Sequence, residues 1–281
     1  MRSPRRAASA LSVLAIGAAH ASALAQAHAA EAPAVRVEAV ELGAGIASLP
    51  DFPGSRTSSA RLRPWADATI ATARFGTFTL DSGSLTLAPA LRWSPFDAQA
   101  LAGASVLIGY RTGRDDRNPS LGSTNDGSDR LHGLPDVAGS ADAGFEVHAR
   151  PFGLPVFAIA RHALHGAQGT IVDVGAYAPF ALSAGAELTV LPTLGWNDAR
   201  EARAWYGIDA PASAASGRPA YQPGAGWQRA ALEVALDVPL AAHWHAVASV
   251  AALRLFGDAG ASPIVERRWQ PHALIGIAWH R

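Results

Sequence analysis

Residues 232–240 read LEVALDVPL, and every second one is a branched aliphatic: Leu232, Val234, Leu236, Val238 and Leu240. Glu233 and Asp237 stand between them. A repeat of two sends successive side chains to opposite sides, so this stretch is a strand with one apolar face and one charged face. The same period recurs along the chain. Leu85, Leu87, Leu91 and Trp93 oppose Ser84, Thr86 and Arg92; Leu188, Val190, Leu194 and Trp196 oppose Glu187, Thr189, Thr193 and Asn197. Val172, Val174, Ala176 and Phe180 oppose Asp173, and Val137, Phe145 and Val147 oppose Asp136, Ser140, Asp142, Glu146, His148 and Arg150. In ALIGIAWHR (273–281), Ala273, Ile275, Ile277 and Trp279 lie on one face and Leu274, Gly276, Ala278 and His280 on the other.

Strands of a soluble sandwich also alternate, but they run about 5–6 residues. Here the runs last about ten, the length that crosses a bilayer with tilt. Trp93, Trp196 and Trp279 close apolar faces, as aromatic girdles do at the two membrane interfaces. These features predict an all-β fold, a closed antiparallel transmembrane β-barrel of about twelve strands. The strands fall at 35–48, 61–71, 74–81, 84–93, 99–112, 136–150, 154–164, 170–180, 185–198, 227–239, 245–257 and 269–281. Long polar connections at 49–60, 113–135, 199–226 and 258–268 become outer loops. Tight ones near Thr72 and at 94–98, 151–153, 181–184 and 240–244 become periplasmic turns, and Asp81–Ser84 and His165–Gly169 become short outer loops. In lipid every backbone polar group must be paired within the protein, so the last strand is expected to bond to the segment around Val37–Ala47.

The chain begins MRSPRRAASALSVLAIGAAHASALAQAHA. Arg2, Arg5 and Arg6 precede a short apolar run, and two overlapping A-x-A sites follow it, which marks residues 1–29 as a secretory signal peptide and 30–281 as the barrel domain. Without those three arginines, 20 basic residues face 23 acidic ones, so there is no electrostatic footprint for nucleic acid. With no cysteine, disulfides and thiolate metal sites are excluded.

Alternation points Arg61, Arg63, Asp67, Arg92, Arg111, Asp142, Glu146, His148, Arg150, Asp173, Glu187, Arg229, Glu233, Asp237 and Arg254 into the lumen. A charge facing lipid near the midplane costs about 2–4 kcal/mol. Inside, opposite charges pair, and the mixed signs favour a filled or narrow lumen over a selective pore. His162 with His165, and His243 with His245, have spacings that metals use, but interfacial polar residues are the plainer reading. Asp115, Asp116, Asp126 and Asp129 gather in one loop without EF-hand spacing, which reads as solvated loop rather than a calcium site. No G-x-S-x-G singles out a nucleophile, so the residues assign no catalytic, cofactor-binding or metal site and no enzyme.

Five segments carry a family resemblance. LGAGIASLPDFPGS (42–55) resembles the first strand and loop of the MipA/OmpV family, the MltA-interacting outer-membrane proteins. IGYRTGRDD (108–116), GLPDVAGSADAGFEVHAR (133–150), WYGIDAPASAASGRPAYQPGAG (205–226) and LFGDAGASPIVERR (255–268) are similar to later strands and loops of that family, in the same order. The resemblance implies a bacterial outer-membrane barrel embedded in lipid, without enzymatic activity. It also implies a scaffolding role in cell-envelope and peptidoglycan maintenance, with a periplasmic lytic transglycosylase and a peptidoglycan synthase as partners. A narrow porin-like channel for small solutes is the alternative, and an outer-membrane hydrolase stands behind both. Family members tend to finish on an aromatic residue, commonly Phe, where this sequence has Arg281.

Overall fold

The computed structural model describes residues 35–95 and 101–281; the expected signal peptide, and the strand residues expected at 99–100, lie outside them. Among the described residues, alternating segments form β1 (Val35–Pro50), β2 (Ser58–Thr72), β3 (Gly76–Asp81), β4 (Ala90–Ser94), β5 (Ala102–Arg111) and β6 (Ser140–Ala149). They continue as β7 (Val156–Ala163), β8 (Thr170–Ala176, resuming after Tyr177 as Ala178–Ala181), β9 (Glu187–Asn197), β10 (Gly226–Pro239), β11 (Trp244–Leu255) and β12 (Trp269–His280). Each strand pairs antiparallel with the next, and both pieces of β8 pair with β9. β12 returns to β1 in the register Glu41↔His280 through Ser48↔Ala273. The ring is closed, a twelve-stranded barrel whose seam lies where the sequence predicts.

The two faces of each strand meet different surroundings. Ile275 and Ile277 on β12, Val250 on β11, Leu232 on β10, Val106 and Ile108 on β5 and Phe145 on β6 are exposed on the outside. Their inward neighbours Glu233, Asp142, Glu146 and Asp173 are buried. An apolar outside around a polar inside is the signature of a barrel in lipid. Trp196 pairs with Trp227 near the long-loop end, where Trp269 also lies. Trp244 pairs with Trp279 at the turn end. These aromatic residues mark the two interfaces.

The strand expected at 84–93 is half right. Only Ala90–Ser94 is strand; Ser82–Pro89 leaves the wall and turns into the lumen, so Leu85 and Leu87 are buried inside the barrel instead of facing lipid. The short outer loop expected at Asp81–Ser84 is therefore absent, and β3 and β4 are only 6 and 5 residues long. β2 pairs with β3 over Ala68–Thr72 alone, which leaves the upper edge of β2 without a strand beside it. That edge is closed in another way. Leu62 N–H donates to Leu121 O at 2.7 Å, Ala66 N–H donates to Ser82 Oγ at 2.8 Å, and Pro64 between them has no N–H to satisfy.

Three further corrections concern positions. Arg254 points outward, not into the lumen, and lies 5.5 Å from the Trp269 ring at the outer interface, where a long side chain keeps its charge in the headgroup region. The strand expected from 136 starts at Ser140, because Val137 is held by Arg114 in an isolated bridge. The outer loops carry short helices that the period of two did not reveal: α1 (Ala199–Tyr206), α2 (Ala210–Ser216) and α3 (Gly257–Ala261). Asp198 and Asp209 cap α1 and α2, accepting from Glu201 N–H and Ala212 N–H.

Because Val250 sits at mid-strand on the outer face, Val250→Arg is expected to destabilise the barrel in lipid vesicles by about 2–4 kcal/mol, read by urea unfolding. Arg at Leu240, beyond the end of β10 and outside the spanning region, is expected to change stability far less.

Candidate functional site in the barrel lumen

The inward segment Ser82–Pro89 is the centre of the lumen. Gly83, at φ +75°, allows the sharp departure from β3. Ser84 then folds the chain on itself: its N–H donates to Leu87 O at 3.0 Å, and its Oγ accepts from Thr86 N–H and Leu87 N–H. Four charged or polar side chains from distant strands hold this turn. Glu233 accepts from Leu85 N–H at 3.3 Å and from Thr86 Oγ1 at 3.0 Å, and Ser249 Oγ donates to the same carboxylate at 2.8 Å. Arg63 donates to Ser84 O at 2.6 Å, and His272 Nδ1 lies 3.1 Å from Leu85 O. Arg161 donates to both Pro89 O and Ala88 O. A loop with unpaired carbonyls inside a barrel would be costly; here the wall supplies the donors.

Leu87 inserts into an apolar cluster with Ala90, Leu107, Phe157, Ile159, Tyr177 and Leu191. Phe157 and Tyr177 stack with ring centroids 4.8 Å apart. Tyr177 is the residue that interrupts β8; the register with β9 is the same on both sides of it, and Pro192, opposite Ala176, has no N–H to give the ladder there. Ion pairs fill the space around this plug. Arg92 lies between Glu146, at 2.7 Å, and Asp81. Arg111 meets Asp142 at 3.1 Å and Glu201 at 2.9 Å, and Arg229 pairs with Asp173. A β-bulge between Gly195 and Trp196 leaves Gln228 as the extra residue opposite β9, buried and bonded to Asn197 next to the inward Arg229. Between the segment and the seam remains a cavity of about 40 Å³, lined by Glu41, Arg63, Trp65, Asp67, Glu233 and Ser249 among others. Trp65 lies flat over Gly43 and Gly276, where a Cβ would collide with its ring, and its Nε1 donates to Glu41 at 2.6 Å.

The outer loops close over the barrel. Phe52, Leu131, Leu134, Ile208, Ala212 and Ile264, from four different loops, form one buried cluster. Tyr206, Leu255 and Ala259 form a second beneath it. Burial in this cap pushes the Tyr206 phenol up to about 12, so it stays neutral. Arg61 joins the cap to the wall through Asp126 at 2.8 Å and the carbonyls of Pro50 and Asp51.

Most lumen residues named from the sequence are inside and paired. The exceptions are Arg254, described above, and His148, which is inside but whose two ring nitrogens make no hydrogen bond; Arg150 lies with His148 and Glu146 at the periplasmic end of the lumen. The lumen set read from alternation also left out Glu41, Asp81, Arg161 and His272, which face the lumen, while His280 lies inside as its face in 273–281 requires. Arg161 shares its face with Phe157 and Ile159, apolar residues that alternation alone turns to lipid, so its local pattern pointed the wrong way. The paired histidines separate. His162 bonds Thr170 at 2.8 Å and His165 accepts from Ala141 N–H; His243 bonds His280 O, while His245 meets Asp237. The four loop aspartates do not converge either. Asp115 pairs with Arg117, Asp116 with His132 and Asp126 with Arg61.

A scan against family models matches residues 42–281 to MltA-interacting protein MipA, which is the barrel from within its first strand through its last. The chain belongs to that family. Members of the family are outer-membrane barrels, and this chain resides in the bacterial outer membrane. Comparison with curated protein sequences returns no match. Among solved structures the chain is similar to OprB of Pseudomonas putida, at 10% identity, 88% of this chain, 94% of that chain and a TM-score of 0.43. It is also similar to the NanC porin, at 9% identity over 85% and 98% of the two chains with a TM-score of 0.41. OmpT of Vibrio cholerae matches at 9% identity over 90% and 99%, with a TM-score of 0.39.

If Glu233 is the main anchor of the inward segment, Glu233→Ala leaves Leu85 N–H, Thr86 Oγ1 and Ser249 Oγ without their acceptor. The expected cost is about 1–3 kcal/mol, with faster hydrogen exchange at Leu85 and Leu87 than in the parent barrel. Unchanged exchange there would show that Arg63, Arg161 and His272 hold the segment without it.

Proposed function

We propose that this member of the MltA-interacting family is a non-catalytic scaffold of the cell envelope. It would present its periplasmic rim to a lytic transglycosylase, and through it to a peptidoglycan synthase. Residues 1–29 serve in the same reading as the export signal. The observation that carries the proposal is the filled lumen: Ser82–Pro89 and the apolar cluster around Leu87 occupy the middle, and the packed loops cover the outer mouth. A barrel closed in this way has surfaces, not a wide passage, to offer. The periplasmic rim carries exposed apolar side chains at successive turns, including Phe152, Leu182 and Leu240. Phe152 stands at a turn tip in the left-handed region, φ 53°, a conformation that costs a non-glycine residue about 1–2 kcal/mol.

A pull-down of the full chain from solubilised membranes is expected to enrich a lytic transglycosylase. Phe152→Asp is expected to reduce that enrichment while leaving the heat-dependent gel shift of a folded barrel intact. Absence of any transglycosylase would sink the scaffold reading.

The narrow-channel reading is favoured by one feature, the small cavity with charges of both signs beside the inward segment. In planar bilayers the parent chain is expected to be silent, and replacing Ser84–Pro89 with a short Gly-Ser link is expected to produce discrete steps. Steps from the parent chain, shifted in ion selectivity by Arg61→Ala or Glu233→Ala, would favour the channel instead.

A further inference from the structure

The periplasmic end of the lumen holds a group of side chains that neither the plug nor the cap uses. Asp237 lies on β10, His245 on β11 and His280 on β12, and Glu41 on β1 stands directly opposite His280 across the seam. Pairing explains why they meet. Pro239 is opposite His245 and His245 is opposite Ala278, so each of the three is a diagonal inward neighbour of the next. Asp237 and His280 are 1% and 4% exposed.

Their polar atoms are not satisfied by one another. His245 Nδ1 approaches Asp237 Oδ1 at 2.5 Å, but the second oxygen of Asp237 makes no hydrogen bond, and neither do Nδ1 and Nε2 of His280. His280 Nε2 is 3.7 Å from that Asp237 oxygen and 3.6 Å from Glu41 Oε2, too far for hydrogen bonds. One ligand atom from each of Asp237, His245 and His280 lies within 4.8 Å of the others. Nitrogen and oxygen ligands at about 2.0–2.2 Å around a tetrahedral ion sit roughly 3.3–3.6 Å apart, so a small convergence suffices.

We propose that Asp237, His245 and His280 form a binding site for a divalent transition-metal ion of the zinc type, on the periplasmic side of the seam. The donor set selects the ion. Two imidazoles and a carboxylate, with no thiolate in the chain, suit Zn²⁺ and its first-row neighbours and exclude the all-oxygen preference of Mg²⁺ and Ca²⁺. Charge agrees: two neutral imidazoles with Asp237, and Glu41 beside them, balance a dication. His245 and His280 stack at 4.0 Å with planes 10° apart, so binding turns at least one ring edge-on to the ion. The competing account is a shared proton, an imidazolium of His280 or His245 held between Asp237 and Glu41. The site is independent of the scaffold reading, since it lies inside the lumen and not on the rim. An ion there would tie β10, β11 and β12 together beside the closing pair of strands.

The test uses the full chain without a histidine tag, folded in detergent, stripped with chelator and titrated with ZnCl₂. One zinc per chain is expected by elemental analysis. X-ray absorption of that sample should show two imidazoles and oxygen ligands at about 2.0–2.1 Å. His280→Ala and Asp237→Asn are expected to weaken binding by about tenfold or more. His162→Ala, on the outer rim, should bind as the parent does. Less than stoichiometric zinc in the parent, zinc without imidazole scattering, or equal affinity in His280→Ala would each overturn the site and leave the shared proton. If His280→Ala loses the gel shift of a folded barrel, the absorption spectrum of the parent decides.

Discussion

The pairing of β1 with β12 is the constraint on which everything else depends. Without the register Glu41↔His280 through Ser48↔Ala273, both strands would present rows of unpaired N–H and C=O groups to hydrocarbon, where each costs several kcal/mol. Closure removes those edges and creates an inside. Once there is an inside, charged residues become admissible on every second position of a strand, provided that each finds a partner. Arg92 between Asp81 and Glu146, and Arg111 between Asp142 and Glu201, meet that condition.

The wall is not uniform, and the irregularity is what gives the lumen its character. β3 and β4 are too short to reach the outer interface, and the eight residues between them turn inward. The edge this leaves on β2 is closed by a proline, a serine hydroxyl and the carbonyl of Leu121, so the break in the ladder costs few backbone hydrogen bonds. In return the interior gains Leu87, which seeds an apolar cluster in a space otherwise lined with charge. Buried polar networks of this kind specify one arrangement because a displaced segment would leave several donors and acceptors unmet at once.

Family membership and architecture agree that the molecule is an outer-membrane barrel, and the filled interior shifts attention to its two rims. The outer rim is a packed cap of loops and short helices. The periplasmic rim is made of tight turns with exposed Phe152, Leu182 and Leu240, and just above it lies the group of Asp237, His245 and His280.

Much of this was legible in the residues. The period of two placed the barrel strands within a few positions, apart from the one expected at 84–93, of which only the second half is strand, and the sign pattern of residues such as Glu233 and Asp173 placed the lumen, because a charge has one tolerable face in lipid. The limit lay where two environments reward the same side chain. Leu85 and Leu87 alternate as a lipid-facing strand would, yet an apolar cluster inside the barrel buries them equally well, and only the tertiary structure chooses between the two. Arg254 fits the lumen by its charge, but near an interface the headgroups serve it instead. His280 met Asp237 and His245 for a different reason: their separation in sequence carries no local signal, and strand order around a closed ring brings them together. The sequence by itself determined a barrel, its seam and its polar interior, since those follow from the chemistry of alternating faces in lipid. What fills that interior was decided by the tertiary structure, because filling depends on which distant side chains closure sets face to face.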